Sequence, residues 1–445
     1  SVDRDPTGEV TELLQQLIRN ACVNDGTASS GGEDRSARLL QDYFDGSGLA
    51  IETYQPEEGR TSLVGRIEGS DADAPSLMLM GHTDVVPVNP EGWQHDPFGA
   101  EVIDGEVWGR GAIDMLNLTA SMAVATRDLA KSGWRPKGTL IYLAVADEEA
   151  LGQWGAGWLT EHKRDAIGAD YVLTESGGLP RQTPDGTRLP VVTAEKGCHW
   201  VRLTIRGIAG HGSQPLRTDN ALVTGAEVVR RLAEYQPAAR IHESWSRFVD
   251  GAGFPEEVAA ALRDPNAVEG VVDALPAGLA RQVHACTHTT FAPTVLHSGV
   301  KTNVIPDRAS LEVDIRTLPD QSQTDVEAML AEALGDLAPK VEIEVITHDA
   351  SSSSAIDTPL WEVLQRVSAG LVADSALIPA MTPGATDARF FRRIGATAYG
   401  YGLFSPQMPA ERYFAMFHAD NERVDLESLR LSTAMWHGAA TAFLG

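Results

Sequence analysis

Cysteine is scarce. Three in 445 residues, Cys22, Cys198 and Cys286, are too few and too far apart for a disulfide framework or a sulfur-ligated zinc site, so a reducing cytoplasm is the expected compartment. Long apolar runs are missing as well: the best, Leu140 to Ala146, is strand-sized and far short of the 18 or so residues that would cross a membrane. The start of the chain, Ser1 to Asp5, has neither the basic region nor the apolar stretch of a signal peptide. Positive charge is in short supply, with 36 basic against 62 acidic residues and a net charge of −26. That balance argues against a nucleic-acid partner, which needs a basic face, and against docking on an anionic membrane. No fixed-period repeat or low-complexity tract occurs. What remains is ordinary globular composition, 43% hydrophobic and 22% charged, in a chain long enough for about two or three domains.

The chain has a strand-then-helix rhythm. Ser76 to Gly81, Leu140 to Ala146 and Tyr171 to Thr174 are short apolar runs without alternation, as expected of strands covered on both faces. Gly8 to Arg19, Arg35 to Gly46 and Met115 to Ser132 carry apolar residues at helical spacing, and Asp114 stands where an N-cap would stand for the last. The pattern predicts an α/β domain with a mostly parallel sheet covered by helices. After Lys196 the texture changes. Trp200 to Ile205 and Leu311 to Ile315 alternate apolar and polar, with helices at Asn220 to Tyr235 and Thr324 to Leu337 and a strand at Val341 to Thr347. That order fits a smaller α+β sandwich with helices on one face. Asp264 to Ala280 and its flanks, within about 240 to 288, do not fit it and read as an insertion. From Thr358 the first texture returns. The expected division is therefore a discontinuous domain of residues 1–196 and 351–445, with residues 197–350 inserted as a lid or dimerisation domain.

The placement of acids and histidines carries the chemistry. Three predicted strands run into His82-Thr83-Asp84, Asp147-Glu148-Glu149 and Glu175, and ligands of open parallel sheets bind at the carboxyl ends of the strands. Asp114, in the glycine-flanked turn 109–114, can face the same edge. Nitrogen and oxygen donors without sulfur suit Zn²⁺, Mn²⁺ or Co²⁺.

Seven segments in this order resemble one family. They are Gly81-His82-Thr83-Asp84-Val85-Val86-Pro87, Gly109-Arg110-Gly111-Ala112-Ile113-Asp114-Met115, Ala146-Asp147-Glu148-Glu149, Thr174-Glu175, Thr302-Asn303-Val304-Ile305-Pro306, Asp314-Ile315-Arg316 and His418-Ala419-Asp420-Asn421-Glu422. The family is the dinuclear metallohydrolases that include aminoacylase, acetylornithine deacetylase, succinyl-diaminopimelate desuccinylase and glutamate carboxypeptidase. The resemblance implies two divalent ions, zinc first with cobalt or manganese as alternatives. His82, Asp114 and Glu175 would hold one and Asp114, Glu149 and His418 the other. Ligand counting agrees, since five ligands exceed the three of one catalytic zinc but a shared carboxylate gives three to each of two.

By the same resemblance Glu148 is the general base, and Asp84 orients the His82 imidazole. His211, in Gly210-His211-Gly212-Ser213, is similar to a histidine lent to the neighbouring subunit's site in a homodimer to support the oxyanion. Asn303 has a supporting part there. Arg316 and Arg389 match positions associated with the substrate carboxylate, beside backbone N–H groups of the 382–386 loop that includes Gly384 and Thr386. The implied activity is hydrolysis of the amide bond of an N-acyl amino acid or short peptide with a free carboxylate. A dipeptidase or carboxypeptidase of the family is the alternative, and a non-catalytic binding member a remoter one. Two departures stand near the site: Leu116-Asn117 replaces the family's common Lys-Gly, and Leu151 intervenes before Gly152. His95, His199, His284, His288 and His297 have no matching segment and are expected as surface or core residues. Trp93, Trp154 and Trp158 are expected as packing, with a pocket for an apolar acyl group as the other reading.

Overall fold

The computed structural model describes residues 5–445; residues 1–4, on which the reading of the N-terminus partly rests, lie outside the described residues. One sheet of ten strands organises the larger domain. Its order begins with Ala50–Glu57, Arg60–Ile67, Leu140–Val145, Leu77–His82 and Tyr171–Thr174. Thr397–Gly400, Gly186–Glu195 and Ser352–Ser353 follow, with Ser375–Thr382 and Arg181–Thr183 also paired to Gly186–Glu195. The centre is parallel: Leu77–His82 pairs in parallel with strands on both sides, and Thr397–Gly400 with Tyr171–Thr174. Antiparallel pairs close the flanks.

All six positions of Leu77–His82 and of Leu140–Val145 are buried, which explains their unbroken apolar character. Helices Thr7–Arg19, Asp34–Phe44, Leu116–Lys131 and Leu426–Leu444 share one core on one face. Ala156–His162 and Ala388–Arg393 contribute to the core on the other. Truncating a residue such as Leu79, fully buried between strand and helix, would cost about 2–5 kcal/mol. Gly81 permits the close approach that sets the site's depth, since a Cβ there would lie 2.3 Å from Thr119 Oγ1 on the Leu116–Lys131 helix.

The smaller domain is an antiparallel sheet in the order Thr290–Ser298, Arg308–Thr317, Gly197–Arg206, Val341–Asp349. Helices Ala221–Glu234 and Gln323–Leu334 cover one face, burying Val201, Leu203, Ile205, Leu311 and Val313. Alternate positions on the other face remain accessible and carry ion pairs such as Arg202 with Glu312 and Glu344. Both helices start at side-chain caps: Asn220 accepts from the Leu222 N–H, and Ser322 with Asp325 forms a reciprocal capping box.

The segment expected as an insertion, Asp264 to Ala280 with its flanks within about 240 to 288, is helical. Four helices, Glu243–Gly251, Glu256–Leu262, Val268–Ala274 and Ala277–Thr287, occupy it. They pack on the larger domain: Trp245, Val249, Val283 and Cys286 share a core with Ala194 and Met381 of that domain's strands. At Gly251 a Cβ would meet Ile378 Cγ2 at 2.4 Å, so only glycine lets this helix lie so close to the Ser375–Thr382 strand.

Candidate metal centre and active site

The carboxyl ends of the central strands converge as the sequence pattern requires. His82 closes its strand, 1% exposed, and its Nδ1–H donates to the Asp84 carbonyl at 2.9 Å, which turns Nε2 into the site. That Nε2 lies 3.2 Å from Asp114 Oδ1 and 3.6 Å from Glu175 Oε2. On the other side, His418 Nε2 lies 2.8 Å from Asp114 Oδ2 and 3.4 Å from Glu149 Oε2. Each oxygen of Asp114 therefore belongs to a different cluster. His82, Asp114 and Glu175 form one trio whose donor atoms lie within 4.8 Å of one another, and Asp114, Glu149 and His418 form another. Glu148 lies in an overlapping trio with His82 and Glu149, its Oε2 3.7 Å from His82 Nε2.

The residues fit a pair of divalent ions. The donors are all nitrogen and oxygen, three to a cluster, and Glu149 Oε1 is buried without a hydrogen-bond partner among the described residues. Electrostatics points the same way. Burial and then the neighbouring Glu175 push Glu148 well above the usual carboxylate range, and burial with Asp114 pushes Glu149 up to about 8. Burial also raises Glu175. Burial opposes a charge on His418, yet its hydrogen bonds to Asp114 and Glu149 carry it up to about 10. Crowded acids of this kind become easy to ionise only beside added positive charge.

Asp114 is not the cap of the helix that follows it. The helix N-cap is Met115, without a side-chain cap bond, and the Asp114 carboxylate faces the two histidines instead. Asp84 acts more widely than expected. Its carbonyl orients His82, while its carboxylate accepts the N–H groups of Glu148 and Glu149 at 3.2 and 3.0 Å and the Asn24 amide at 2.9 Å. Thus one residue aligns a histidine of the first strand with two acids of the second.

Several supporting residues gave no sequence signal of their own. Glu422, fully buried, accepts the backbone N–H groups of Gly111, Ile113 and Asp114 at 3.0, 2.8 and 3.1 Å and pairs with Arg110 at 2.9 Å. Its place in the His418–Glu422 run was visible; its task was not. Asn24 bridges Asp84 and Asp147, and buried Arg60 pairs with Glu33, which accepts the Asp147 N–H. Asp387 is buried with neither carboxylate oxygen hydrogen-bonded among the described residues, and burial pushes it up to about 8. Of the two departures, Asn117 is buried at the start of its helix, and the Leu151 carbonyl accepts from Arg389.

A cavity of about 640 Å³ opens beside the clusters, reached by Asp114, Glu148, Glu149, Glu175 and His418. Arg316, Gly384 and Thr386 line it; Arg389 does not. Arg316 spends Nε and Nη2 on Asp314, and no protein acceptor is paired with its Nη1 among the described residues. Arg389 is 1% exposed, and its donors go to the Thr386 and Leu151 carbonyls and to Asp349. This arginine therefore holds the loop rather than facing the cavity. Thr386 is likewise engaged, its hydroxyl and N–H both donating to Glu195. His211 and Asn303 lie outside this cavity, on adjoining edges of an exposed two-stranded ribbon where Gly212 N–H donates to the Asn303 carbonyl.

Trp93, Trp154 and Trp158 do not line the cavity; Trp200 and Trp245 do. Trp93 lies under the Arg110 guanidinium and Trp158 stacks on His162, so packing describes them. Among the histidines without a motif, His199 pairs with His348 across two strands, and His284 stacks on His288 beside Glu269.

Comparison with known proteins agrees with this geometry. N-fatty-acyl-amino acid synthase/hydrolase PM20D1 of Xenopus tropicalis is 28% identical, over 95% of this chain and 85% of that protein. Aminoacylase-1 of Mus musculus is 27% identical, over 95% and 92%. Among solved structures, the M20 family metallo-carboxypeptidase Sso-CP2 of Sulfolobus solfataricus superposes with a TM-score of 0.72 at 18% identity, covering 98% of this chain and 99% of that one, a likeness of fold. No helix among the described residues is long and apolar enough to cross a membrane. With the model of peptidase family M20/M25/M40 matching residues 78–442, the chain belongs to that family and is a hydrolase.

Proposed function

We propose that the protein is a two-metal amidohydrolase that cleaves N-acyl amino acids, releasing an amino acid and a carboxylic acid. The observation that carries this reading is the pair of three-residue clusters sharing Asp114, with Glu148 beside them at the edge of a substrate-sized cavity. The names of the relatives, an N-fatty-acyl-amino acid hydrolase and an aminoacylase, support it.

His82, Asp114 and Glu175 would hold one ion and Asp114, Glu149 and His418 the other, zinc by the donor set. When bound, such ions polarise a carbonyl and lower the pKa of water. Glu148 takes the proton from the attacking water at a carboxylate oxygen and delivers it to the leaving nitrogen. Its environment supports both halves of the task, because a carboxylate that is hard to ionise when alone holds a proton readily once it has accepted one. Arg316 offers its free Nη1 edge to the substrate's α-carboxylate. His211 and Asn303, exposed on the ribbon, would act in the site of a second subunit. Three free cysteines, all buried, accord with a cytoplasmic enzyme.

The test is hydrolysis of N-acyl amino acids beside dipeptides, with Glu148→Gln alongside. N-acyl amino acids are expected to turn over only with metal present, and Glu148→Gln is expected to lose about 10²–10⁴-fold in kcat. Preference for dipeptides would assign the dipeptidase reading, and near-normal turnover of Glu148→Gln would remove it as the base.

A further inference from the structure

We propose that Glu269, His284 and His288 form a further metal site, separate from the candidate two-metal centre, at which a divalent transition ion such as Zn²⁺ ties two of the inserted helices together.

The spacing is the first observation. His284 and His288 stand four residues apart, so one turn of helix puts both imidazoles on one face, the arrangement in which a helix offers two histidines to one ion. The turn is made: the His288 N–H donates to the His284 carbonyl at 2.9 Å, and the two rings lie parallel within 7° at 4.2 Å between centroids. Glu269 comes from the preceding helix, Val268–Ala274. One ligand atom from each of the three residues lies within 4.8 Å of the other two, as in the trios of the active centre. Two imidazoles and a carboxylate suit zinc and its neighbours.

The state of His288 Nε2 is the second. The residue is fully buried. Its Nδ1 meets acceptors, the His284 carbonyl at 3.1 Å and the Thr287 hydroxyl at 2.9 Å, whose own proton goes to the Val283 carbonyl at 2.8 Å. The ring proton therefore belongs on Nδ1, as in a metal-bound histidine held from behind by a carbonyl, and Nε2 carries a lone pair. Glu269 Oε1 is only 2.6 Å from Nε2, yet Nε2 makes no hydrogen bond among the described residues. At that distance only a bent approach prevents one, so the outward axis of the nitrogen passes beside the oxygen. Ligands of one ion are arranged in this way, each aimed at a point between them rather than at the other. A buried lone pair this near a carboxylate needs a cation to relieve it. Glu269, half-exposed, has to draw back by less than about 1 Å to admit an ion at about 2.0 Å from each atom.

The site's effect is mechanical. Val268–Ala274 has seven residues and is too short to hold its form without tertiary support. The next helix, Ala277–Thr287, carries Leu279, Val283 and Cys286 to the wall of the active-site cavity. An ion shared by the two helices fixes that wall. Only one of the three ligands is an acid and it is half-exposed, so this site is weaker than the two of the active centre. It fills after them and empties when loosely held metal is removed.

The test is calorimetric titration with Zn²⁺ of the untagged full-length protein, reloaded with zinc and then freed of loosely held metal. One further equivalent is expected, and its binding should slow amide hydrogen exchange across residues 268–288. His284→Gln and Glu269→Gln, both at half-buried positions, should each weaken that equivalent by at least about a hundredfold and leave the tightly held zinc in place, since losing a group that merely supports a ligand already costs about 10–100-fold. The comparison reads this site alone, whatever the count at the active centre. No added equivalent in the wild type, or one that both variants bind as tightly because the acidic surface at large holds it, would overturn the site.

Discussion

Glu422 offers the sharpest test of how the site is held. Replacing it with alanine leaves the Gly111, Ile113 and Asp114 N–H groups and the Arg110 guanidinium without their acceptor, all in an environment closed to water. Breaking a buried ion pair by removing one partner costs about 3–5 kcal/mol, and each stranded buried N–H adds about 1–3 kcal/mol where the loop cannot rearrange to water. Glu422→Gln keeps one oxygen for the three N–H groups but sets an amide against Arg110, so it should cost about 1–3 kcal/mol. Urea denaturation of the metal-free protein measures both. Because Asp114 is the residue whose N–H is released, and its two oxygens serve both clusters, metal affinity should also fall by about 10–100-fold in a competition with a chromophoric chelator. A Glu422→Ala protein that lost less than about 1 kcal/mol, or kept its metal affinity, would refute the assignment of this buried carboxylate as the organiser of the turn.

Lys196 gives a pH-dependent prediction. It is buried with its ammonium donating to the His288 carbonyl at 2.7 Å and the Thr290 hydroxyl at 3.3 Å, and burial pushes it down to about 7. In the unfolded chain a lysine titrates near 10.4, so between about pH 7 and 10 the unfolded state binds more protons and stability from this group rises with pH, by at most about 4 kcal/mol. Lys196→Met should flatten that part of the curve in urea denaturation; an unchanged slope would contradict it. For the subunit-sharing role of His211, mixing inactive His211→Ala with inactive Glu148→Gln chains should restore activity, and proven heterodimers without activity would count against it.

What the sequence revealed and what it concealed follow from the range of the interactions. Strands buried on both faces write unbroken apolar runs, so Leu77–His82 and Leu140–Val145 were readable within a residue or two, as was the convergence of His82, Glu148, Glu149 and Glu175 at their ends. The side to which a polar side chain turns depends on distant partners. Arg389 matched a substrate-binding position, yet Asp349 and the Leu151 carbonyl, far away in the chain, claim its guanidinium. Asp114 looked like a helix cap because the helix does begin beside it, but His82 and His418 compete for the same carboxylate and win. The insertion broke the strand and helix order and was noticed for that reason. Its docking on the large sheet depends on Gly251 lying against Ile378 and on Trp245 and Met381 sharing a core, which no local pattern records.

The most direct test of the central claim is metal stoichiometry by elemental analysis of purified wild-type protein, Glu175→Ala, His418→Ala and Asp114→Ala. About two ions per chain are expected in the wild type, about one in each of the two flanking variants, and close to none in Asp114→Ala, because its two oxygens serve both clusters. One ion in the wild type, or a full complement retained by Asp114→Ala, would contradict a shared two-metal centre.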